Sequence, residues 1–507
     1  MPILLSRNTV SFFRRALGLA LAAGGLLGVA EGAPLRIAER RELFVDDAVL
    51  ERLEGAEVRL GSPAPAGVAM TFEEPWEGRF CTFVTVLRDG GKFRMYYRGV
   101  GDGGAKSEIT CYAESDDGIV WRKPKLGLVE IRGSKDNNVI LDYTPQRYTH
   151  NFTPMIDDRP GVPAEERYKA VGGGMTTSAE AKATGAVRGL YRLVSADGIH
   201  WKVLPGRPLF TGYALDTQNC LVWLPEEQCF AVYLRVWSAD TLGSKVTWKG
   251  MRLIARSTSK DFVNWTTPEV MTTGPGAPEH LYTNATHPYF RAPHLLISLP
   301  FRFAEERRLL SDEEMEKYQV HKTMYKGVSD AVLMTSRGGT AYDRTFMESF
   351  VRPGPARDNW AARSSIPALG VVPTGPGEMS MYLTCGYGTP HIRLERRTLR
   401  LDGFASLHGG YKEGSAVSKP LTLEGAVLRA NFATSSIGYV KIAVLDESGR
   451  ELPGYGAADA EELAGDEIDR AVTWKGGRNI AELKGRTVHL KFIVRDADLY
   501  SFGAFAK

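Results

Sequence analysis

Acidic, amide, histidine and arginine side chains recur just before five apolar strand-like segments of this chain. The five groups lie at residues 73–79, 150–153, 216–219, 279–284 and 358–363. Carboxyl groups supply the acid, base or nucleophile for cleavage of a glycosidic bond. Amides and arginines bind hydroxyl groups, and aromatic rings stack on sugar faces. The pattern therefore favours a site for a carbohydrate.

Four carboxylates are candidates for acid/base catalysis: Asp216, Glu77, Glu279 and Asp358. Asp216 ranks first because two amides, Gln218 and Asn219, follow it at the start of an apolar strand. Each acid also has a purely structural interpretation. Asp216 could cap a turn, Glu279 could lie in the loop after the Gly/Pro-rich segment 274–278, and the other two could form ion pairs with neighbouring arginines at 79, 357 or 363.

Eleven further residues of these segments and their surroundings are candidate substrate-binding residues. They are Arg79, His150, Asn151, Gln218, Asn219, Tyr282, Asn284, Arg291, Asn359, Trp360 and Arg363. His150 could equally be a buried core histidine, and because no second ligand lies at a suitable spacing we predict no metal site and no cofactor. Three of the arginines, at 79, 291 and 363, could instead bind phosphate, which would suit a phosphorylase.

Five repeats along the chain are expected to position these groups. Aromatic or apolar strands recur around Phe93, Tyr168, Phe230, Leu295 and Met379. The interval between successive strands of this set is too long for one hairpin and suits a four-stranded sheet with its loops. We therefore predict an all-β fold with a five-bladed β-propeller, in which the innermost strand of each blade begins at a central funnel. The five polar segments should converge there.

Closing turns of the type Ser-x-Asp-Gly-x-x-Trp support the same number of blades. Two copies, 115–121 and 195–201, are nearly identical, 257–265 is a longer variant, and 336–342 ends in Tyr instead of Trp. Asp-Gly favours a turn with positive φ, and the aromatic ring should cover the apolar layer between neighbouring sheets. We expect equivalent places for Trp121, Trp201, Trp265 and Tyr342.

The segments outside the repeats predict a leader and a second domain. Residues 1–30 combine three arginines with an apolar, Ala/Gly-rich run, which is typical of a signal peptide with cleavage near Ala30. We expect export to the periplasm or the medium. Sec export is the first expectation, a twin-arginine signal at 14–15 the second, and a retained lipid or membrane anchor the alternative. We assign 37–403 to the propeller, with Glu42–Leu50 closing the ring beside 393–401, and 404–507 to a C-terminal β-sandwich.

The composition indicates which partners the protein can bind and whether its cysteines form disulfide bonds. The net charge of +3, from 63 basic and 60 acidic residues, is too balanced to indicate nucleic acid or an anionic membrane surface. Five cysteines make no disulfide scaffold. A bond between Cys220 and Cys229 is the alternative to buried free thiols. We expect a monomer that binds a carbohydrate, not the membrane, after the signal is removed. One helix is predicted, at Leu310–His321.

These features together resemble the arabinanase and β-fructosidase superfamily of glycoside hydrolases, and more closely exported relatives of family 32. The resemblance implies a secreted glycosidase, but the β-fructosidase motifs Trp-x-Asn-Asp-Pro-Asn-Gly, Arg-Asp-Pro and Glu-Cys are absent from the sequence. Their catalytic residues therefore cannot be transferred. We predict a glycoside hydrolase first, a carbohydrate-binding propeller without catalysis second, and a scaffold that uses its rim third. A glycoside phosphorylase is a further enzymatic alternative.

Overall fold

Antiparallel strands form nearly all the regular structure in the computed structural model, which describes residues 33–101 and 107–507. The predicted all-β class with a five-bladed propeller is confirmed. Residues 34–507 form one unit, so the proposed division between residues 403 and 404 stays a prediction. The predicted signal peptide lies outside the described residues.

Five short strands precede the first blade. They are β1 (Leu35–Ile37), β2 (Arg40–Leu43), β3 (Leu50–Glu54), β4 (Ala56–Leu60) and β5 (Ala64–Thr71). The first four pair with strands near the C-terminus, and β5 pairs with the last propeller strand.

Each of the first three blades is a four-stranded sheet in chain order. Blade one contains β6 (Thr82–Asp89), β7 (Lys92–Val100), β8 (Glu108–Ser115) and β9 (Val139–Leu141). Blade two contains β10 (Thr153–Ile156), β11 (Tyr168–Gly173), β12 (Leu190–Ser195) and β13 (Lys202–Val203). Blade three contains β14 (Cys220–Leu224), β15 (Cys229–Trp237), β16 (Arg252–Ser259) and β17 (Glu269–Val270).

Blades four and five depart from this pattern. Blade four has β18 (His287–Tyr289), β19 (Ala292–Ser298), an added hairpin of β20 (Phe301–Ala304) and β21 (Val328–Ala331), and then β22 (Met334–Ser336). Blade five has β23 (Ile366–Pro367), β24 (Val372–Pro373), β25 (Glu378–Cys385) and β26 (Arg393–Arg400). Strand β5 pairs with β26 and completes this sheet. The ring is therefore closed by Ala64–Thr71, and the prediction that Glu42–Leu50 closes it is wrong.

The closing turns join neighbouring blades. In blades one to three the serine hydroxyl accepts at least one backbone N–H group of the turn, and the aspartate carboxylate accepts the N–H groups of the residues two and three positions after it. Trp121 of blade one packs against Tyr382 of blade five at 5.8 Å, and Trp201 of blade two packs against Tyr96 of blade one at 6.3 Å. Tyr342 of blade four packs 6.1 Å from a tyrosine of blade three. The predicted role of these aromatic rings between sheets is confirmed.

The C-terminal strands form one ten-stranded sheet with β1–β4. They are β27 (Ala405–Gly409), β28 (Gly414–Ser418), β29 (Leu421–Leu423), β30 (Val427–Leu445), β31 (Asp466–Ala471) and β32 (Thr487–Phe505). Strands β30 and β32 pair along most of their length and enclose an apolar core with the fully buried Trp474. A complete β-sandwich in this region stays a prediction.

Within the described ranges, two α-helices lie in loops, α1 (Ser178–Thr184) and α2 (Asp312–Lys317). Each begins with a capping box. The hydroxyl of the N-cap residue accepts the backbone N–H of the glutamate three residues later, and the side chain of that glutamate accepts the backbone N–H of the N-cap residue. Helix α2 is shorter than the predicted 310–321, and α1 was not predicted. Short 3₁₀ turns occur at Ala164–Glu166, Lys322–Met324, Arg357–Trp360 and Ala481–Leu483.

The five cysteines are buried free thiols, as predicted. Cys220 pairs in register with Tyr233 and Cys229 with Leu224, so the two cysteines do not face each other across their hairpin. Within residues 33–101 and 107–507, no helix has the length and apolar character needed to span a membrane.

Candidate active site

The blade ends at which the inner strands begin form one face of the propeller, called the entry face below. Inner strands of successive blades contact one another around the axis. Because the second strand of each blade is antiparallel to the first, its C-terminal end also lies at the entry face. Four of the five predicted polar segments lie at this face, just before the inner strands of blades two to five. The fifth, 73–79, connects the outer strand β5 to the inner strand β6 of blade one.

Asp216 lies at the entry face in the approach to β14. Its side chain is 16% exposed, and its Oδ2 atom lies 3.5 Å from Nη1 of Arg235. Its Oδ1 atom is buried and has no hydrogen-bond partner in the described part of the chain. Arg188 is a second positive neighbour. The Oδ1 atom therefore lacks the hydrogen bond that a ligand or an ordered water would supply.

Arginines surround the ring of Tyr282 beside Asp216. The guanidinium carbons of Arg235, Arg252 and Arg363 lie 4.4, 5.1 and 5.3 Å from the ring centroid. Phe301 stacks parallel to the same ring at 4.7 Å. Burial lowers the pKa of Arg235 below its ordinary value. The cluster is a compact positive region built on an aromatic base.

Sequence reasoning missed two of these arginines. Arg235 and Arg252 lie in β15 and β16, where the neighbouring residues are apolar, and not in the loops before the inner strands. A charged side chain within the nine-residue run Cys229–Trp237, which is buried throughout, was the signal that could have identified Arg235.

His150 and Asn151 belong to a second polar network at this face. Nδ1 of His150 lies 2.9 Å from the carboxylate of Glu108, and its Nε2 atom lies 2.9 Å from the Asn151 amide nitrogen. Arg98 donates to Asn151 at 3.0 Å and to the Tyr387 hydroxyl group at 3.1 Å. Burial acts to raise the pKa of Glu108, but His150 and Arg98 outweigh it and the pKa lies below its ordinary value. His150 is thus held by a carboxylate and an amide.

A cavity of about 760 Å³ opens next to the Tyr282 cluster. Its size is in the range of small-molecule sites. The β20–β21 hairpin and the adjoining loops form its walls, and Phe303 of its lining contacts Tyr282, Arg252 and Arg363. The polar and aromatic lining residues are Glu279, His280, Arg302, Phe303, Glu305, Glu306, Arg307, Ser329, Asp330, Ser349, Arg352 and Trp360.

Glu279 and Trp360 are the two predicted site residues in this cavity. The Glu279 carboxylate accepts from Arg302 at 3.2 Å and from Arg344 at 2.5 Å. The Trp360 indole donates to the Gly354 carbonyl at 2.8 Å, which fixes its ring in the wall. An indole in the wall of a polar cavity can act as a stacking surface for a sugar.

The other two candidate acids lie in buried ion pairs. Glu77 is fully buried, lies 2.8 Å from Lys123 Nζ and accepts from the Tyr97 hydroxyl group at 2.6 Å. Burial raises the pKa of Glu77 despite these partners. Asp358 accepts from Arg393 at 2.7 Å. The ion-pair interpretation holds for both acids, but their partners are not the arginines expected from the sequence.

The predicted amides are engaged within the protein. Gln218 donates to the Thr85 hydroxyl group of blade one at 2.9 Å and so links blades three and one. Asn219 binds carbonyl groups of its own loop, and Asn284 donates to the Tyr233 carbonyl. Asn359 accepts the backbone N–H of Gly386. These residues hold the shape of the funnel.

Two predicted arginines do not join the others. Arg291 lies in the β18–β19 turn, at the opposite end of blade four, where it forms an ion pair with Asp402 at 3.1 Å. The prediction that it contacts substrate in the funnel is wrong, because the residue follows the inner strand and does not precede it. Arg79 donates to the Gln319 carbonyl at 3.2 Å. The three-arginine phosphate clamp is therefore not formed.

No protein-family model matches the chain, and no curated protein matches it in sequence. Solved structures resemble it at low identity. For an arabinoxylan arabinofuranohydrolase of glycoside hydrolase family 43 from Bacillus subtilis, the identity is 9%, the coverage 86% of this chain and 97% of that chain, and the TM-score 0.41. For a family 32 β-fructofuranosidase from Bombyx mori the values are 9%, 89%, 94% and 0.40. For an N-acetylgalactosamine deacetylase from F. plautii they are 13%, 68%, 96% and 0.44. These values describe what the chain is similar to, and no residue role is transferred from them.

Proposed function

We propose that the protein is a glycosidase that binds an oligosaccharide in the 760 Å³ cavity and the adjoining funnel mouth. The observation that carries this proposal is Asp216, which lies at the entry face beside the Arg235–Tyr282 cluster and has one buried carboxylate oxygen free of protein partners among the described residues. A carboxylate in that position can accept a proton from water or attack the sugar. Trp360 supplies aromatic surface in the wall of the cavity.

Glu279 is the proposed second member of the acid/base pair. It lines the 760 Å³ cavity, and its arginine partners Arg302 and Arg344 fix its position. To donate a proton it must exchange one of these contacts for substrate, and catalytic hydrogen bonds often form fully after substrate binds. Glu77 and Asp358 lie in buried pairs, so we do not retain them in the proposed mechanism.

The test is release of reducing sugar from a panel of plant and algal glycans. Asp216→Asn should reduce the rate by on the order of 10² to 10⁴, because an amide cannot transfer the proton. Glu279→Gln should give a loss of similar size. Glu227→Gln is the matched control, since Glu227 also pairs with a blade-three arginine, Arg256, but at the opposite face. Full activity of Asp216→Asn would remove Asp216 from the mechanism.

A carbohydrate-binding propeller without catalysis is the second candidate function. It is favoured by the ion pairs at Glu77, Glu279 and Asp358, which leave few carboxylates free to work as acids. Calorimetric binding of an oligosaccharide that is never hydrolysed, and that Asp216→Asn still binds, would select this function over the glycosidase.

We also propose that the protein is exported through its N-terminal segment. The basic and apolar pattern of residues 1–30 supports this. N-terminal sequencing of secreted protein should then begin near Glu31. An intact Met1 in secreted material would contradict cleavage.

A further inference from the structure

Arg363 is a charged residue of the site whose charge has no counterion. It has no hydrogen bond or ion pair to any residue in 33–101 or 107–507, and its Nε atom is buried without a partner. Its described contacts are the rings of Tyr282 at 5.3 Å and Phe303 at 5.9 Å. Aromatic rings attract a cation weakly and leave its N–H groups free.

The charged residues near Arg363 do not neutralise its positive charge. Arg235 and Arg188 both face Asp216, and Arg252 is paired with Glu305 at 3.2 Å. The carboxylates around the Tyr282 ring are therefore paired with other arginines, and none of them neutralises the charge of Arg363. Arg363 is half-buried, and a partly desolvated charge without a counterion among the described residues favours a ligand of opposite charge.

The backbone holds Arg363 in a defined place. Arg363 has φ +59° and Ser365 has φ +60°, values that are uncommon for residues with a side chain. Between them, Ser364 is fixed by the Ser329 hydroxyl group at 2.6 Å and by the Gly386 N–H at 2.8 Å. Ser329 also lines the cavity. The guanidinium group is thus carried by a rigid loop beside the cavity wall.

We infer that the ligand of this site is an acidic glycan whose carboxylate or sulfate group binds to Arg363. The inference rests on the proposed carbohydrate site and adds the class of sugar. A guanidinium group matches the two oxygens of a carboxylate or sulfate with two parallel N–H donors. A neutral sugar would leave the charge without a counterion, so the site should discriminate against it.

The experiment compares matched glycans that differ in charge alone. Calorimetry measures binding of short oligogalacturonates and their carboxyl-reduced counterparts, and of sulfated galactan oligosaccharides and their desulfated counterparts. The wild type should bind one acidic member tighter than its neutral match by on the order of ten- to a hundredfold. The two pairs distinguish a carboxylate from a sulfate ligand.

Variants connect the preference to Arg363. Arg363→Met should bind acidic and neutral members almost equally, and Arg363→Lys should restore part of the difference. Arg357→Met is the control, because Arg357 belongs to the same segment but is exposed and paired with Glu314. Melting temperatures should show that all variants are folded.

Each result decides the inference separately from the proposed hydrolysis. Equal binding of acidic and neutral members by the wild type, binding of no acidic member, or an acid preference that survives in Arg363→Met would overturn it. An acid preference that depends on Arg363, without cleavage of any glycan, supports the inference and rejects the glycosidase.

Discussion

Asp402 connects the propeller to the C-terminal strands, and its removal tests how strongly they are coupled. The residue is fully buried between β26 and β27. Its carboxylate accepts from Tyr289 of blade four at 2.8 Å, from Asn431 at 2.9 Å and from Ser501 at 2.6 Å. Arg291 forms an ion pair with it at 3.1 Å.

Asp402→Ala removes the common acceptor of these four groups. Loss of one partner from a buried pair costs about 3 to 5 kcal/mol, because the remaining charge and donors stay buried without compensation. We expect the free energy of unfolding to fall by about 4 kcal/mol, measured by urea denaturation with tryptophan fluorescence and circular dichroism.

The control for backbone conformation is Asp496→Ala. Asp402 and Asp496 both have positive φ, at +65° and +43°, but no hydrogen bond to the Asp496 carboxylate is found within the described ranges. The difference between the two variants isolates the carboxylate contacts of Asp402. A difference below about 1 kcal/mol, the net value of one ordinary hydrogen bond, would refute the reasoning.

Two further predictions concern the pH dependence of stability and the packing around a glycine. Burial lowers the pKa of His287 to about 4, so stability of about 3 kcal/mol, fully present above pH 6.5, should be lost as pH falls towards 4. Burial acts against ionisation of Glu42, but Arg337, His294 and Arg40 lower its pKa to about 2, so a similar contribution should be lost between pH 4.5 and 2. Urea midpoints against pH test both, and unchanged profiles in His287→Gln and Glu42→Gln would contradict them. Gly198→Ala should destabilise by about 1 to 3 kcal/mol more than Gly185→Ala. Both glycines have φ above +70°, but a methyl group at 198 would lie 2.5 Å from a tyrosine hydroxyl group whereas 185 is open, so equal melting temperatures would contradict the packing argument.

The repeat pattern predicted the propeller because its signals are local. A closing turn such as 195–201 fixes its own hydrogen bonds, and its aromatic ring needs an apolar neighbour in any blade arrangement. The closing strand β5 gave no such signal. Its sequence is rich in Ala, Gly and Pro and mostly exposed, so it is held by pairing with β26 and not by an apolar face of its own.

The candidate site was predicted in part for the same physical reason. Loop segments before the inner strands could be placed at the entry face from the topology, which located Asp216, Tyr282 and Arg363 correctly. Partners that come from distant parts of the chain could not be predicted. Glu77 meets Lys123 of the β8–β9 connection, 46 residues away, and Asp358 meets Arg393 of β26, 35 residues away.

Buried polar atoms without partners at the entry face support the proposal that a ligand binds there. Buried N–H groups or oxygens without partners occur at Asp216, Gln218, Arg235, Arg252 and Arg363 in the described structure. Each costs folding free energy unless water or a ligand binds it. A propeller that needed stability alone could fill these positions with apolar side chains, as it does at the opposite end of the axis, where Leu221, Leu369 and Val371 line a smaller cavity. The contrast between the two faces supports the proposed position of the ligand at the face that carries the charges.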